Sequence, residues 1–187
     1  MGQQKCYHTH TGLQINGGGI EVTVYGGSCI QPVILNADIY VGLDSNMKMH
    51  RQHYPWVKGH AFLFDIPNMG VPASINEFRK LLKWLTIQLA ADKMVHIGCI
   101  GGHGRTGLVL SALVKYITGN PCATQYVRDN YCEKAVESDS QVAWLWNHFK
   151  IEPVAPRYKG TPVILQPKGE KFTKSSSNVI DMIDFKD

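Results

Sequence analysis

The chain has 187 residues, a net charge of +4, and 44% apolar and 18% charged residues. This length fits one medium-sized domain, and the composition excludes a disordered or fibrous chain. The mildly basic charge falls short of the clustered lysine and arginine that are typical of a dedicated nucleic-acid binder. The five cysteines are widely spaced, without any C-x-x-C pair, which excludes a zinc ribbon or a thioredoxin motif.

The predicted elements alternate between strands and helices. Alternating or continuous apolar residues predict strands over 20–25, 37–43, 60–66 and 93–99. Helical spacing predicts helices over 75–89, 105–118, 123–131 and 138–149, and Ser74 with Glu77 forms a capping box before the first of them. This order predicts an α/β fold with a central, largely parallel sheet flanked by helices.

Composition divides the chain into three parts. Residues 1–19 are polar and glycine-rich and are predicted as a lead-in, residues 20–152 as the domain, and residues 153–187 as an extended or partly disordered tail. No apolar run reaches the ~20 residues of a membrane span, and the polar start is not a secretory signal. Free thiols and these absences together lead us to expect a cytoplasmic protein.

A glycine-rich loop joins the strand at 93–99 to the next helix and has two interpretations. Residues 102–107 spell G-x-G-x-x-G, the dinucleotide fingerprint. That fingerprint needs a following strand that ends in an acidic residue, whereas the segment after this helix is helical again. The sequence also excludes a nucleoside-triphosphate-binding loop, because that motif requires Gly-Lys-Ser/Thr, which this loop does not contain.

The second interpretation starts from Cys99 and accounts for more residues of the same loop. Cys99 ends a buried strand, and Arg105 follows six residues later on the first turn of a helix. The glycines between them allow backbone N–H groups to point inward, which makes an anion-binding cradle at a helix N-terminus. The guanidinium of Arg105 can hold two phosphoryl oxygens at once, and Thr106 places a hydroxyl near the sulfur. The loop is therefore predicted to bind phosphate beside a nucleophilic thiolate.

The stretch "CIGGHGRTG" resembles the C-x5-R-[S/T] signature loop of the cysteine-dependent protein tyrosine and dual-specificity phosphatases. The resemblance implies that Cys99 is the nucleophile, assisted by Arg105 and Thr106. It also implies that Asp65, in "FDIPNMG" and 34 residues before the cysteine, is the general acid. The implied substrate-binding residues are those of the loop and the start of the last helix: Ile100, Gly101, Gly102, His103, Gly104 and Gln141.

Several residues of this pattern carry alternatives. The family usually has histidine directly before the cysteine, and this chain has Gly98 there, with His96 the nearest histidine. As a cation, His103 would contact a second phosphate; otherwise it is an exposed loop residue. Gln141 follows Ser138 by three residues and so either caps the last helix or positions water, while Glu137 is expected to be structural.

The leading hypothesis is a phosphomonoester hydrolase of the dual-specificity type that acts on a phosphorylated protein. The alternatives are a phosphatase of an RNA 5′ end, a nucleotide or an inositol phosphate, and a phosphate-binding module with a weakly reactive cysteine. No cofactor and no metal is expected. The histidine pairs His8/His10 and His50/His53 have no cysteine or carboxylate nearby at ligand spacing.

Overall fold

The computed structural model describes residue 10 and residues 12–30, 32–34, 36–45 and 60–155. The strands are β1 (Gly12–Gly17), β2 (Ile20–Ser28), β3 (Ile39–Gly42), β4 (His60–Leu63) and β5 (Val95–Cys99). The helices are α1 (Ile75–Ala90), α2 (Gly104–Thr118), α3 (Ala123–Asn130) and α4 (Asp139–Phe149). Residues 1–9, 11, 31, 35, 46–59 and 156–187 lie outside the described residues, and they include His8, His50, His53 and most of the predicted tail.

The five strands form one sheet in the order β1-β2-β5-β3-β4. β5 pairs parallel with β2 on one side and with β3 on the other, β4 pairs parallel with β3, and only β1 is antiparallel. α1 and α2 pack against β2 and β5. The predicted α/β fold, a largely parallel sheet flanked by helices, is confirmed.

Part of the predicted lead-in belongs to the sheet. Residues 12–17 form β1, which pairs with β2 from Gly12 opposite Tyr25 to Gly17 opposite Ile20. Leu13 and Ile15 are fully buried in the main hydrophobic core. Two apolar residues in a polar, glycine-rich segment are too weak a pattern to predict a strand, and the tight turn at residues 18 and 19 supplies the pairing.

The helices begin and end near the predicted residues. Ser74 Oγ accepts a hydrogen bond from Glu77 N at the start of α1, and Gly119 ends α2 in the left-handed conformation, with φ 74°. Among the described residues, none of the helices combines the length and the apolar composition that a membrane span requires.

β5 carries a fully buried histidine, His96. Burial, and to a smaller extent the neighbouring His10, lower the pKa of His96 to about 3. The imidazole is therefore neutral in the folded protein over the range in which an exposed histidine becomes protonated.

We expect acid to destabilise the protein through this residue. Below pH 6.5 the unfolded chain protonates His96, whereas the folded chain does not until about pH 3. The contribution of His96 to the free energy of unfolding is therefore complete above pH 6.5 and declines as the pH falls. For one such group the loss between pH 7 and pH 5 is about 2 kcal/mol. Urea unfolding at the two pH values measures it. In His96→Gln the free energies of unfolding at the two pH values should differ less than in the wild type. An unchanged difference would contradict the role of His96 in the acid destabilisation.

Candidate active site

Cys99 lies at the carboxyl end of β5, in the middle of the parallel part of the sheet. A loop of four residues, 100–103, leads directly into α2, which begins at Gly104. The carboxyl ends of parallel strands are where α/β folds place their ligands, and a helix N-terminus at that edge favours an anion. Strand, loop and helix therefore meet as the sequence predicts.

The hydroxyl of Thr106 contacts Cys99 at two atoms. Thr106 Oγ1 donates a hydrogen bond to Cys99 Sγ at 3.3 Å and accepts one from Cys99 N at 3.0 Å. Thr106 is fully buried, and Cys99 is only 3% exposed. The hydroxyl is thereby fixed beside the sulfur, on the first turn of α2, where it can donate to the atom that would react.

Arg105 is held by a buried ion pair. Its Nη1 lies 2.7 Å from Asp44 Oδ2, and it also donates to the carbonyl oxygens of Leu43 and Ile66 at 3.3 and 3.0 Å. Arg105 and Asp44 are each about 5% exposed. These three bonds fix the guanidinium against the residues that follow β3 and β4, and the same side chain lines the pocket above Cys99.

The loop passes very close to the end of β2. Gly102 has φ 74°, and a Cβ there would lie 2.6 Å from the carbonyl carbon of Gly27. A Cβ at Gly98 would lie 2.9 Å from Cys29 N and 3.0 Å from Gly27 O. The position where the resemblance predicts histidine therefore has no room for any side chain, because the backbone of β2 fills it.

Ser28 contacts the loop from β2 instead. Ser28 Oγ donates a hydrogen bond to Ile100 O at 2.7 Å, and Cys29 N donates to Cys99 O at 2.7 Å. Both bonds lie at the start of the turn that follows Cys99, and they join it to the end of β2.

A pocket opens above Cys99. Its lining, among the described residues, consists of Asn68, Met69, Cys99, Ile100, Gly101, His103, Arg105, Glu137 and Gln141. The segment "FDIPNMG" thus contributes Asn68 and Met69, while Asp65 is exposed and its Oδ1 accepts a hydrogen bond from Ser45 N at 2.8 Å. Asp65 as general acid stays a prediction.

Glu137 is the carboxylate that lines this pocket. Its Oε2 accepts a hydrogen bond from Gly104 N, the first residue of α2, at 2.8 Å. Burial raises the pKa of Glu137, although that hydrogen bond, Arg105 and Lys134 act in the opposite direction. The sequence predicts a structural role for Glu137, because no residue near it in the chain indicates that it faces the loop.

Gln141 caps α4 and also borders the pocket. Ser138 Oγ accepts from Gln141 N at 3.3 Å, and Gln141 Oε1 accepts from Ser138 N and Glu137 N, which completes the predicted capping box. Gln141 Nε2 donates to Gly70 O at 3.2 Å. The amide is thus occupied in joining α4 to the segment after β4, and water positioning stays a prediction.

His103 turns towards a second polar cluster. Its Nδ1 lies 3.4 Å from Cys132 Sγ, and its ring lies edge-on to that of His10, with centroids 5.3 Å apart. Burial and the charge of Lys134 lower the pKa of His103, which disfavours a cationic role at neutral pH. Burial and His103 lower the pKa of His10 to about 4. The cluster has no signature in the sequence, because its members are 29 and 93 residues apart.

Comparison with known proteins identifies the fold. No protein-family model matches the chain. The structure is similar to Tk-PTP in its active form, with a TM-score of 0.59 and 23% identity over 74% of this chain and 96% of that one. It is also similar to kinase associated phosphatase with serine in place of its catalytic-site cysteine, with a TM-score of 0.56 and 17% identity over 73% of this chain and 92% of that one. A third similar structure is that of PTPMT1, with a TM-score of 0.51 and 12% identity over 61% of this chain and 76% of that one.

These solved structures, all under 25% identical, show the fold: the chain has the same fold as Tk-PTP, kinase associated phosphatase and PTPMT1. The resemblance drawn from the loop is confirmed at this level. Two uncharacterized proteins of Methanocaldococcus jannaschii, MJ0215 and MJECL20, are each 33% identical to the chain over 87 and 85 residues. The chain covers about half the length of these curated relatives, 54% and 56%.

We expect Gly98→Ala to destabilise the protein by roughly 1–3 kcal/mol, because the added methyl meets backbone rather than a movable side chain. Gly101→Ala is the matched control: its Cβ would meet only the His103 side chain, at 3.3 Å. Urea unfolding measures both. Equal stability of the two variants would show that β2 yields to a side chain at position 98.

Proposed function

We propose that the protein is a cysteine-dependent phosphomonoester hydrolase. The observation that carries this proposal is the joint position of Cys99, Thr106 and Arg105. A hydroxyl donates to the sulfur, the sulfur lies at the N-terminus of α2, and a fixed guanidinium lines the same pocket. A phosphate group in that pocket meets a nucleophile and the positive charge that its oxygens need.

The reaction follows from these positions. The Cys99 thiolate attacks phosphorus, an S–P bond forms, and the P–O bond to the leaving group breaks. Arg105 and the N–H groups of the loop hold the equatorial oxygens while charge redistributes over them. Water then attacks phosphorus as one of its protons passes to the carboxylate that protonated the leaving group, the S–P bond breaks, and inorganic phosphate and the thiolate are released. Thr106 stabilises the sulfur each time it carries negative charge.

Two carboxyl groups are candidates for the proton donor to the leaving oxygen. Asp65 is the donor that the resemblance implies. Glu137 is the second candidate because it lines the pocket and because burial raises its pKa, which favours the protonated form that a general acid requires. Asn68 lies in the same lining but its amide cannot transfer a proton at neutral pH.

The proposed enzyme is a phosphatase of the dual-specificity type, and its proposed substrate is a phosphorylated protein. RNA 5′ ends, nucleotides and inositol phosphates are the alternative substrates. None of the four described cysteines forms a disulfide, which fits the proposed cytoplasmic location. Turnover of phosphotyrosine and phosphoserine peptides, 5′-phosphorylated RNA and inositol phosphates, compared as kcat/KM, ranks these classes.

Cys99→Ser should lower hydrolysis of an aryl phosphate by roughly 10³-fold or more, since the hydroxyl is a far weaker nucleophile at neutral pH. Phosphate binding should survive because the loop and Arg105 remain. Cys122→Ser, at an exposed cysteine, is the control and should retain activity. Steady-state kinetics and phosphate titration measure both effects. Full activity of Cys99→Ser would refute the mechanism, whereas an inactive wild type that binds phosphate would favour the binding module.

Asp65→Asn and Glu137→Gln distinguish the two proton donors. Loss of the donor should slow an alkyl phosphate, whose leaving group needs protonation, by roughly 10²-fold or more, and an activated aryl phosphate much less. The variant at the position that is not the donor should change kcat for the two substrates by a similar factor. Measuring kcat on the two substrates for each variant identifies the donor. Selective loss in Glu137→Gln alone would replace Asp65 with Glu137.

A further inference from the structure

Beside the phosphate-binding loop, three potential metal ligands come from three distant segments. They are His10, before β1, His103, in the loop, and Cys132, just after α3. One ligand atom from each lies within 4.8 Å of the other two. His10 and Cys132 are each only 6% exposed, so the cluster is shielded from solvent on most sides.

A chain of hydrogen bonds orients His10. Tyr131 OH lies 2.6 Å from Gly102 O, and a carbonyl oxygen can only accept, so the tyrosine donates there. The tyrosine oxygen also lies 3.2 Å from His10 Nδ1. Its proton is already committed, so it accepts from Nδ1–H, and the lone pair of His10 is on Nε2. That Nε2 is buried and has no hydrogen-bond partner among the residues that the structure describes.

A buried nitrogen with an unused lone pair is costly unless something binds it. A metal-binding histidine typically donates its other N–H to a fixed acceptor, which is what Tyr131 provides here. The same tyrosine is hydrogen-bonded to the loop through Gly102. The orientation of His10 is thus set from the neighbourhood of the loop, and Nε2 is the atom left to bind a ligand.

The donor types and the distance between two of the ligand atoms fit zinc. With Zn–N of ~2.0–2.1 Å and Zn–S of ~2.3 Å, the nitrogen and sulfur ligands of a tetrahedral site lie about 3.5 Å apart. Cys132 Sγ and His103 Nδ1 are 3.4 Å apart. We infer that His10 Nε2, His103 and Cys132 Sγ form a Zn²⁺ site with water in the fourth position.

The site adjoins the pocket of the proposed hydrolysis, because His103 belongs to both. No step of that reaction uses Cys132 or His10. Bound zinc would join the segment before β1 and the end of α3 to the loop through His103, which favours the folded state because the three ligands come together only there. On binding, the Cys132 thiol loses its proton to solvent and the sulfur bonds to the metal.

Co²⁺ is the probe, because a cobalt ion bound to thiolate in a tetrahedral site gives a thiolate-to-cobalt charge-transfer band and intense visible bands. Metal-free full-length protein is titrated with Co²⁺, and Zn²⁺ is then added to displace it. We expect one Co²⁺ per chain with the charge-transfer band, its loss on addition of Zn²⁺, and a higher Tm with Zn²⁺. Absence of the band, or an unchanged Tm, would overturn the site.

Variants assign the ligands. Cys132→Ser should remove the charge-transfer band, and His10→Gln, which retains a donor for Tyr131, should weaken Co²⁺ binding by roughly tenfold or more. Cys122→Ser and His148→Gln, at exposed positions, are the matched controls and should bind as wild type. Cys99→Ser should also keep the band, and circular dichroism checks that each variant is folded. Loss of the band in Cys99→Ser with its retention in Cys132→Ser would assign the metal to the candidate nucleophile and refute the site.

Discussion

The rest of the site depends on the close approach of two stretches of backbone, the end of β2 and the loop after Cys99. Cys29 N donates to Cys99 O, and a Cβ at either Gly98 or Gly102 would overlap this strand. With the end of β2 against it, the loop has to turn away from that strand, so the strand pairing constrains its course. A site built on backbone contact of this kind is held more rigidly than one built on side chains, because a backbone pressed against backbone has few alternative positions.

The strand order explains why the loop is held from both sides. β5 lies between β2 and β3, so the ends of both neighbours reach the loop. β2 contributes backbone and Ser28, while the residues after β3 contribute Leu43 O and the carboxylate of Asp44 to Arg105. A buried arginine needs such a partner, since an unpaired charge there would be strongly destabilising. The same ion pair that makes Arg105 tolerable inside the protein orients it towards the pocket.

The sequence predicts well whatever is encoded by neighbouring residues. The strand–loop–helix unit around Cys99 and the capping box at Ser138 depend on residues within a few positions of each other, and both are present. β1 escapes prediction because its pairing with β2, rather than its own composition, makes it a strand. The cluster around His103 escapes it for the same reason, since histidine pairs close in sequence are a poor guide to ligands that meet only in the fold.

Three buried cysteines lie near the loop, and their neighbours give them different chemistry. Burial, and then the neighbouring Cys99, raise the pKa of Cys29 to about 12, so that thiol stays protonated and does not compete as a nucleophile. Cys132 lies against an imidazole nitrogen, where a metal can displace the thiol proton. Cys99 alone of the three combines a hydroxyl donor at its sulfur with a helix N-terminus and a guanidinium in the same pocket. The case for Cys99 as nucleophile therefore comes from its partners, since burial by itself favours the neutral thiol.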